Sequence, residues 1–158
     1  MKEISLTRGK VALVDDDDYE HISQYKWHVS SSGYARRNVP HPTKYGKRTL
    51  LLMHRAIMGL SHDDKREVDH IDGNRLNNCR ANLRICSHSE NARNKSPYAH
   101  STVGLKGVTK KGGGERWKAQ IMLNGRRKHL GYFATPEEAH AAYRKAAAEL
   151  HGEFARLE

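Results

Sequence analysis

Residues 67–95 read EVDHIDGNRLNNCRANLRICSHSENARNK, and the fold of the chain turns on how they are parsed. Val68-Asp69-His70-Ile71 alternates apolar and polar side chains, the pattern of a half-buried strand. Asp72-Gly73-Asn74 is a strong turn signal, and Asn77-Asn78 prolongs the loop. Leu83-Arg84-Ile85-Cys86 forms a second short strand. Ser87-His88-Ser89-Glu90 matches a capping box, with Ser87 as cap and Glu90 three positions later. A helix therefore starts near His88 and carries Asn91 in its first turn. The order is strand, loop, strand, helix. Neighbouring residues on a strand point to opposite faces. Asp69 and His70 thus share one site only where the strand ends or twists, as the Asp72-Gly73 turn allows.

Carboxylate and amide oxygens suit a hard cation such as magnesium or manganese, which keeps several waters and binds substrate phosphate. A histidine alongside accepts a proton from an attacking water, because its pKa lies near neutrality. A metal neutralises charge on a phosphate and on its leaving oxygen. These are the parts that phosphodiester hydrolysis requires. Cys79 and Cys86 are the only cysteines and form no CxxC pair, which disfavours a zinc knuckle and points to reduced thiols in a cytosolic protein.

The bulk composition agrees with a polyanionic partner. The formal charge is +10, the pI is near 9.8, and only 37% of the 158 residues are hydrophobic, which suits several small cores better than one large one. No apolar run approaches the roughly 20 residues of a membrane span, and the start lacks a signal-peptide core. The charge is uneven. Residues 1–60 carry +10 and −6, residues 96–135 carry +8 and −1, and residues 136–158 carry +3 and −5. A basic block followed by a mildly acidic helix is the signature of a DNA-facing sheet with a supporting helix.

Residues 1–14 read as a strand, since Ile4, Leu6, Val11 and Leu13 alternate with polar partners. The acids Asp15 to Asp18 suit the N-terminus of the helix that follows, as cap and solvated face. Trp27 to Val29 and Tyr34 to Val39 flank Ser30-Ser31-Ser32-Gly33, a hairpin pattern that offers Arg36 and Arg37 to a phosphate backbone. Thr49 to Met58 is apolar with His54-Arg55 at its centre, and is a helix or a strand ended by Gly59. A lone histidine in such a run is more often structural than catalytic.

LLMHRAIMG, VDHIDGN, NLR and SENARN, in this order and spacing from Leu51 to Lys95, resemble the HNH endonuclease family, particularly its homing and phage-encoded members. The resemblance implies a ββα-metal fold with His70 as general base and Asp69 as metal ligand. It implies Asn82 as the asparagine that braces the loop and gives the motif its middle letter. Many members have a histidine as the final letter; here that helix position is Asn91, which makes Asn91 the second metal ligand, with His88 one turn earlier as fallback. An asparagine there favours one magnesium or manganese ion over zinc or nickel. A cytoplasmic location in a bacterial or phage-infected host cell follows from the same likeness.

After a linker at 96–103, LKGV, RWKAQI, HLGYF and EEAHAAYRKAAAELHG suggest three strands and a helix. From Arg116, residues Trp117, Ala119, Ile121 and Leu123 alternate with Lys118, Gln120 and Met122, and Asn124-Gly125 is a two-residue hairpin signal. Thr135-Pro136-Glu137-Glu138 caps a helix whose Ala139, Tyr143, Ala146, Ala147 and Leu150 make one apolar stripe, ended by Gly152. A ribbon of this kind fits a major groove. This half resembles the Apetala-type, or ethylene-response-factor, DNA-binding domain, and the resemblance turns Lys106, Arg116, Gln120, Arg127 and His129 towards DNA, with Lys118 on the same face. Family members often have tryptophan where His129 stands and arginine where Thr109 stands, so target preference does not carry over.

The expected fold class is α+β in small modules: an N-terminal α/β segment over 1–50, a ββα-metal core over 51–95, and a three-stranded antiparallel sheet on one helix over 104–158. The expected function is a metal-dependent DNA endonuclease of homing type acting on double-stranded DNA, with no membrane or small-molecule partner. The alternative is a non-catalytic, sequence-specific DNA-binding regulator. An RNA-binding module is disfavoured, because 7% aromatic residues offers few stacking platforms.

Overall fold

A computed structural model of the chain describes residues 1–94, 103–112, 115–123 and 125–155. The chain divides into two compact units, Met1–Ser87 and His88–Glu158. The expected 96–103 linker falls almost wholly outside the described residues, as does Asn124 of the hairpin turn.

The first unit opens with two strands where the sequence pattern suggests one. β1 (Lys2–Ser5) and β2 (Val11–Val14) pair antiparallel, with Lys2 opposite Val14. Between them the chain reverses because Arg8 and Gly9 take φ of 61° and 63°. Alternation alone is blind to such a turn, since its residues carry no proline or Asn-Gly signal. α1 (Asp16–Ser23) follows, with three acids in its first turn, where the unpaired backbone N–H groups favour negative charge. Asp15 and Asp18 have a further task. Asp15 Oδ2 accepts from the Arg80 backbone N–H at 2.7 Å, and both Asp18 oxygens accept from the Arg80 guanidinium at 2.8 Å. The acidic run therefore anchors the loop ahead of the second strand of the central hairpin.

β3 (His28–Val29), β4 (Ala35–Pro40) and β5 (Arg48–Leu52) make an antiparallel sheet in that order. The segment that reads as helix or strand is both: β5 runs directly into α2 (Met53–Ile57), which Gly59 ends at φ 67°. β6 (Glu67–His70) and β7 (Leu83–Cys86) then pair antiparallel. One core serves most of these elements: Ile4, Val14, Ile22, Trp27, Ala35, Met53, Ile57, Val68 and Leu83 are among its buried members. Ile22 and Met53 are almost completely enclosed, and truncating either to alanine costs about 2–5 kcal/mol. β2 also touches the Asn-rich loop. Leu13 N–H donates to the Leu76 carbonyl and Asn78 N–H donates to the Leu13 carbonyl, both at 2.8 Å.

The second unit begins with α3 (His88–Asn94), at the position the capping pattern predicts. β8 (Val108–Lys110), β9 (Trp117–Leu123) and β10 (Arg126–Phe133) form an antiparallel sheet ordered β10-β9-β8. Ala119 and Ile121 are buried on one face against Ala139, Tyr143 and Ala147 of α4 (Pro136–His151). The Thr135 hydroxyl caps α4 by accepting from Glu138 N–H at 3.2 Å, and Glu138 answers by accepting from Ala134 N–H at 3.1 Å. The register of β10 slips between His129 and Gly131, a bulge that leaves Leu130 unpaired and packed into the core. On the opposite face Gln120 stands across from His129, Met122 from Arg127 and Lys118 from Tyr132. With its small antiparallel sheets and separate helices, the chain is α+β.

Candidate active site

Pairing of β6 with β7 fixes the first part of the site. Asp69 stands opposite Arg84, and His70 opposite Leu83. Arg84 Nε and Nη2 both donate to Asp69 Oδ2, at 2.9 and 2.7 Å, with the two side chains only 12% and 7% exposed. A carboxylate this buried is costly without a counter-charge, which Arg84 supplies.

His70 ends β6 and is buried among different partners, so the pleat turns adjacent residues to different neighbours. Its ring meets that of His54 edge to face, with centroids 5.0 Å apart, and lies 5.8 Å from the Tyr34 ring. Tyr34 and His54 are themselves 5.2 Å apart. Three segments distant in sequence thus bring three rings together: the hairpin before β4, α2, and the end of β6. His70 Nε2 lies 3.4 Å from Asn78 Oδ1, and Asn78 is fully buried. The Asn78 amide is oriented by its Nδ2, which donates to the Leu76 carbonyl at 3.1 Å. Arg75 places its guanidinium 4.9 Å from the Tyr34 ring centroid and donates to the Ser32 carbonyl at 2.6 Å.

Burial dominates the protonation of both histidines. It pushes His70 below the ordinary value against the opposing pull of Asn78, Asp72 and Asp69, while Arg75 lowers it further. The same effect, aided by the charges of His70 and Arg55, takes His54 down to about 3. Both rings are neutral at pH 7.

Asn82 closes the loop between the strands. Its Oδ1 accepts from Asp72 N–H at 3.0 Å, and its Nδ2 donates to Asp72 Oδ1 and to the Asn77 carbonyl, each at 2.9 Å. Burial raises the Asp72 carboxyl, but hydrogen bonds from Asn77, Asn74 and Asn82 outweigh it and hold the group below the usual carboxylate range. Before β6, Arg55 organises the loop by donating to the carbonyls of Arg66, Ser61 and Asp64 at 2.7, 2.8 and 2.8 Å.

Asn91 and His88, expected as ligand and fallback, lie on α3 in the second unit. Arg36 and Arg37 lie on β4, half-buried, and Arg37 stacks its guanidinium 3.7 Å above Tyr25, with Trp27 at 5.5 Å. Lys118, Gln120, Arg127 and His129 occupy the sheet face away from α4, with Arg116 exposed just before β9. Lys106 precedes β8 and gives its carbonyl to the His140 ring at 3.1 Å.

The sequence reads His54 as structural, Tyr34 as a neighbour of the phosphate-facing Arg36 and Arg37, and Asn78 as a loop former, and gives Arg75 and Arg84 no role at the site. For Arg84 a signal exists: pairing the two strands in antiparallel register puts an arginine across from Asp69. For Asn78 the loop asparagines read as turn formers, and nothing local shows that one of them faces a histidine.

A hard divalent cation fits the donor chemistry. Asp69 offers a buried carboxylate paired with Arg84, and an amide oxygen of the kind Asn91 carries is likewise a hard donor. Among the described residues no group of three or more His, Cys, Asp or Glu could enclose a metal.

The HNH endonuclease family profile matches residues 59–93, which span β6, the Asn-rich loop, β7 and most of α3. The chain is 36% identical over 154 residues to the uncharacterized HNH endonuclease L560 of Acanthamoeba polyphaga mimivirus, covering 94% of this chain and 74% of that protein. This chain belongs to the HNH endonuclease family. As an HNH nuclease, it is an enzyme that acts on nucleic acid, and members of the family generally use a divalent metal ion. It is also 36% identical over 90 residues to Protein 3.8 of Escherichia phage T7, covering 57% of this chain and 74% of that one. The likeness to the mimivirus protein runs through both units of the HNH chain. Among the described residues no helix is long and apolar enough to cross a membrane.

Proposed function

We propose that the protein is a homing-type endonuclease that hydrolyses phosphodiester bonds of double-stranded DNA with one magnesium or manganese ion. His70 is its general base. The observation that carries this reading is the environment of His70: a buried, neutral imidazole whose Nε2 faces a carbonyl oxygen. Asn78 Oδ1 can only accept, so Nε2 bears the proton and the lone pair resides on Nδ1. The 3.4 Å separation is long, as catalytic hydrogen bonds often are before substrate binds. Nδ1 takes the proton of the attacking water, and the protonated ring is then steadied by Asn78 and by the carboxylates of Asp72 and Asp69.

The family resemblance assigns Asp69 and Asn91 as metal ligands, and the metal when bound would supply positive charge for the phosphate and leaving oxygen. Asn82 keeps the loop after His70 in one conformation through its three side-chain hydrogen bonds. The division of labour follows the chain. Residues 51–95 cut, residues 1–50 add phosphate contacts through Arg36 and Arg37, and residues 104–158 read DNA as an Apetala-type domain joined by the 96–103 segment. Lys106, Arg116, Lys118, Gln120, Arg127 and His129 make that contact. The viral origin of the relatives supports action inside an infected host cell.

The test is His70→Ala, assayed on plasmid with and without Mg²⁺ or Mn²⁺ and by duplex binding at fixed salt. Metal-dependent cleavage falls about a hundredfold or more while duplex affinity stays near wild type. Cleavage at the wild-type rate removes His70 from the role of base.

A further inference from the structure

The Arg84–Asp69 pair is more than a fold contact, because it occupies the carboxylate that the proposed metal site needs. We propose that Arg84 is a resident counter-cation for Asp69: it holds the carboxylate ready in the free protein and keeps divalent-metal affinity low until DNA arrives. This inference rests on the reading of Asp69 as a metal ligand.

Three observations support it. The pair is almost sealed from water, with side-chain exposures of 12% and 7%, so water screens the two charges weakly. Arg84 Nε and Nη2 both donate to Oδ2, at 2.9 and 2.7 Å, which places the guanidinium charge beside the proposed ligand atom. The register fixes this contact in place, since Asp69 and Arg84 are directly opposite in the ladder. A divalent ion arriving at Asp69 therefore meets a carboxylate already neutralised and a like charge next to it. The guanidinium fork fits phosphate as well as carboxylate. A DNA phosphate beside Arg84 draws it off Asp69 and opens the carboxylate to the ion, so DNA and metal binding strengthen each other. Linkage requires that coupling to be reciprocal. Arg84 acts through Asp69 and is a positioning residue.

The test is Mn²⁺ binding to the full chain by titration calorimetry, with thermal melts in EDTA and in Mn²⁺, for wild type, Arg84→Gln, Arg84→Lys and Asp69→Asn. Arg84→Gln binds Mn²⁺ about tenfold tighter or more, because a like charge is gone. It melts lower than wild type in EDTA and gains more from Mn²⁺. Arg84→Lys keeps the charge and stays near wild-type affinity. Asp69→Asn loses binding. If Arg84→Gln does not fold, Arg84→Met, similar in length and uncharged, takes its place. Should Asp69→Asn bind Mn²⁺ as wild type does, Asp69 is no ligand and the inference falls with that assignment. If Asp69→Asn loses binding while Arg84→Gln binds no tighter than wild type, or Arg84→Lys tightens as much as Arg84→Gln, the counter-cation role alone is overturned.

Discussion

His54 and His70 meet ring edge to ring face inside a core that excludes water, and that contact has a pH signature. Burial, then the charges of His70 and Arg55, hold His54 near 3, whereas the unfolded chain takes up the proton near 6.5. Between those values the unfolded state binds more protons. Stability from His54 is therefore complete above pH 6.5 and is lost as pH falls towards 3, with a slope of up to about 1.4 kcal/mol per pH unit. Urea unfolding at pH 7.5 and 4.5 measures it, and His54→Gln, which cannot titrate, flattens the difference. An unchanged pH dependence in that variant would assign the acid sensitivity to other groups. The sequence exposes His70 through its DHIDGN context, but His54 only as a histidine in an apolar run. Recognising its partner requires knowing that β5 ends at Leu52 and that α2 brings His54 against His70 at the end of β6, a tertiary fact with no local mark. Arg84 is intermediate, since strand register alone sets it against Asp69.

Elements whose ends are written in local chemistry are the ones the sequence shows best. α4 begins where Thr135, Pro136 and Glu138 say it should, and β9 alternates as its residues do. The reversal at Arg8-Gly9 and the bulge at Leu130 escape because positive φ and a register slip leave no periodic trace. Two substitutions separate these effects within the second unit. Thr135→Ala removes one cap hydrogen bond and costs about 1 kcal/mol. Gly107→Ala costs more, because Gly107 has φ of 77° and an added Cβ would overlap the Tyr143 ring. Tyr143 is held by the core and cannot retreat without opening a cavity. Thermal melts of the full chain should rank Gly107→Ala below Thr135→Ala and both below wild type. The reverse order would mean that Gly107 reaches an alternative backbone with room for a methyl group.

Across the whole molecule, charge and chemistry occupy different places. The +10 net charge is spread over both units, whereas the proposed general base and Asp69 lie in Met1–Ser87. On the proposed reading the residues assigned to cutting are too few and too buried to select a target, which leaves affinity to exposed cations. On the second sheet Lys118 and Arg127 share the face away from α4, and Arg116 is exposed beside it. Phosphate contacts release counterions, so log affinity falls linearly with log salt, by about 0.9 for each contact. Replacing Arg116, Lys118 and Arg127 together with alanine should lower that slope by about 2–3 if all three touch phosphate. Duplex affinity measured from low to moderate salt gives the slope, with His70→Ala as a control that leaves it unchanged. A triple variant with the wild-type slope would move the electrostatic footprint off this sheet and towards the first unit. There Arg36 and Arg37 would be its nearest candidates, although Arg37 would first have to leave the face of Tyr25.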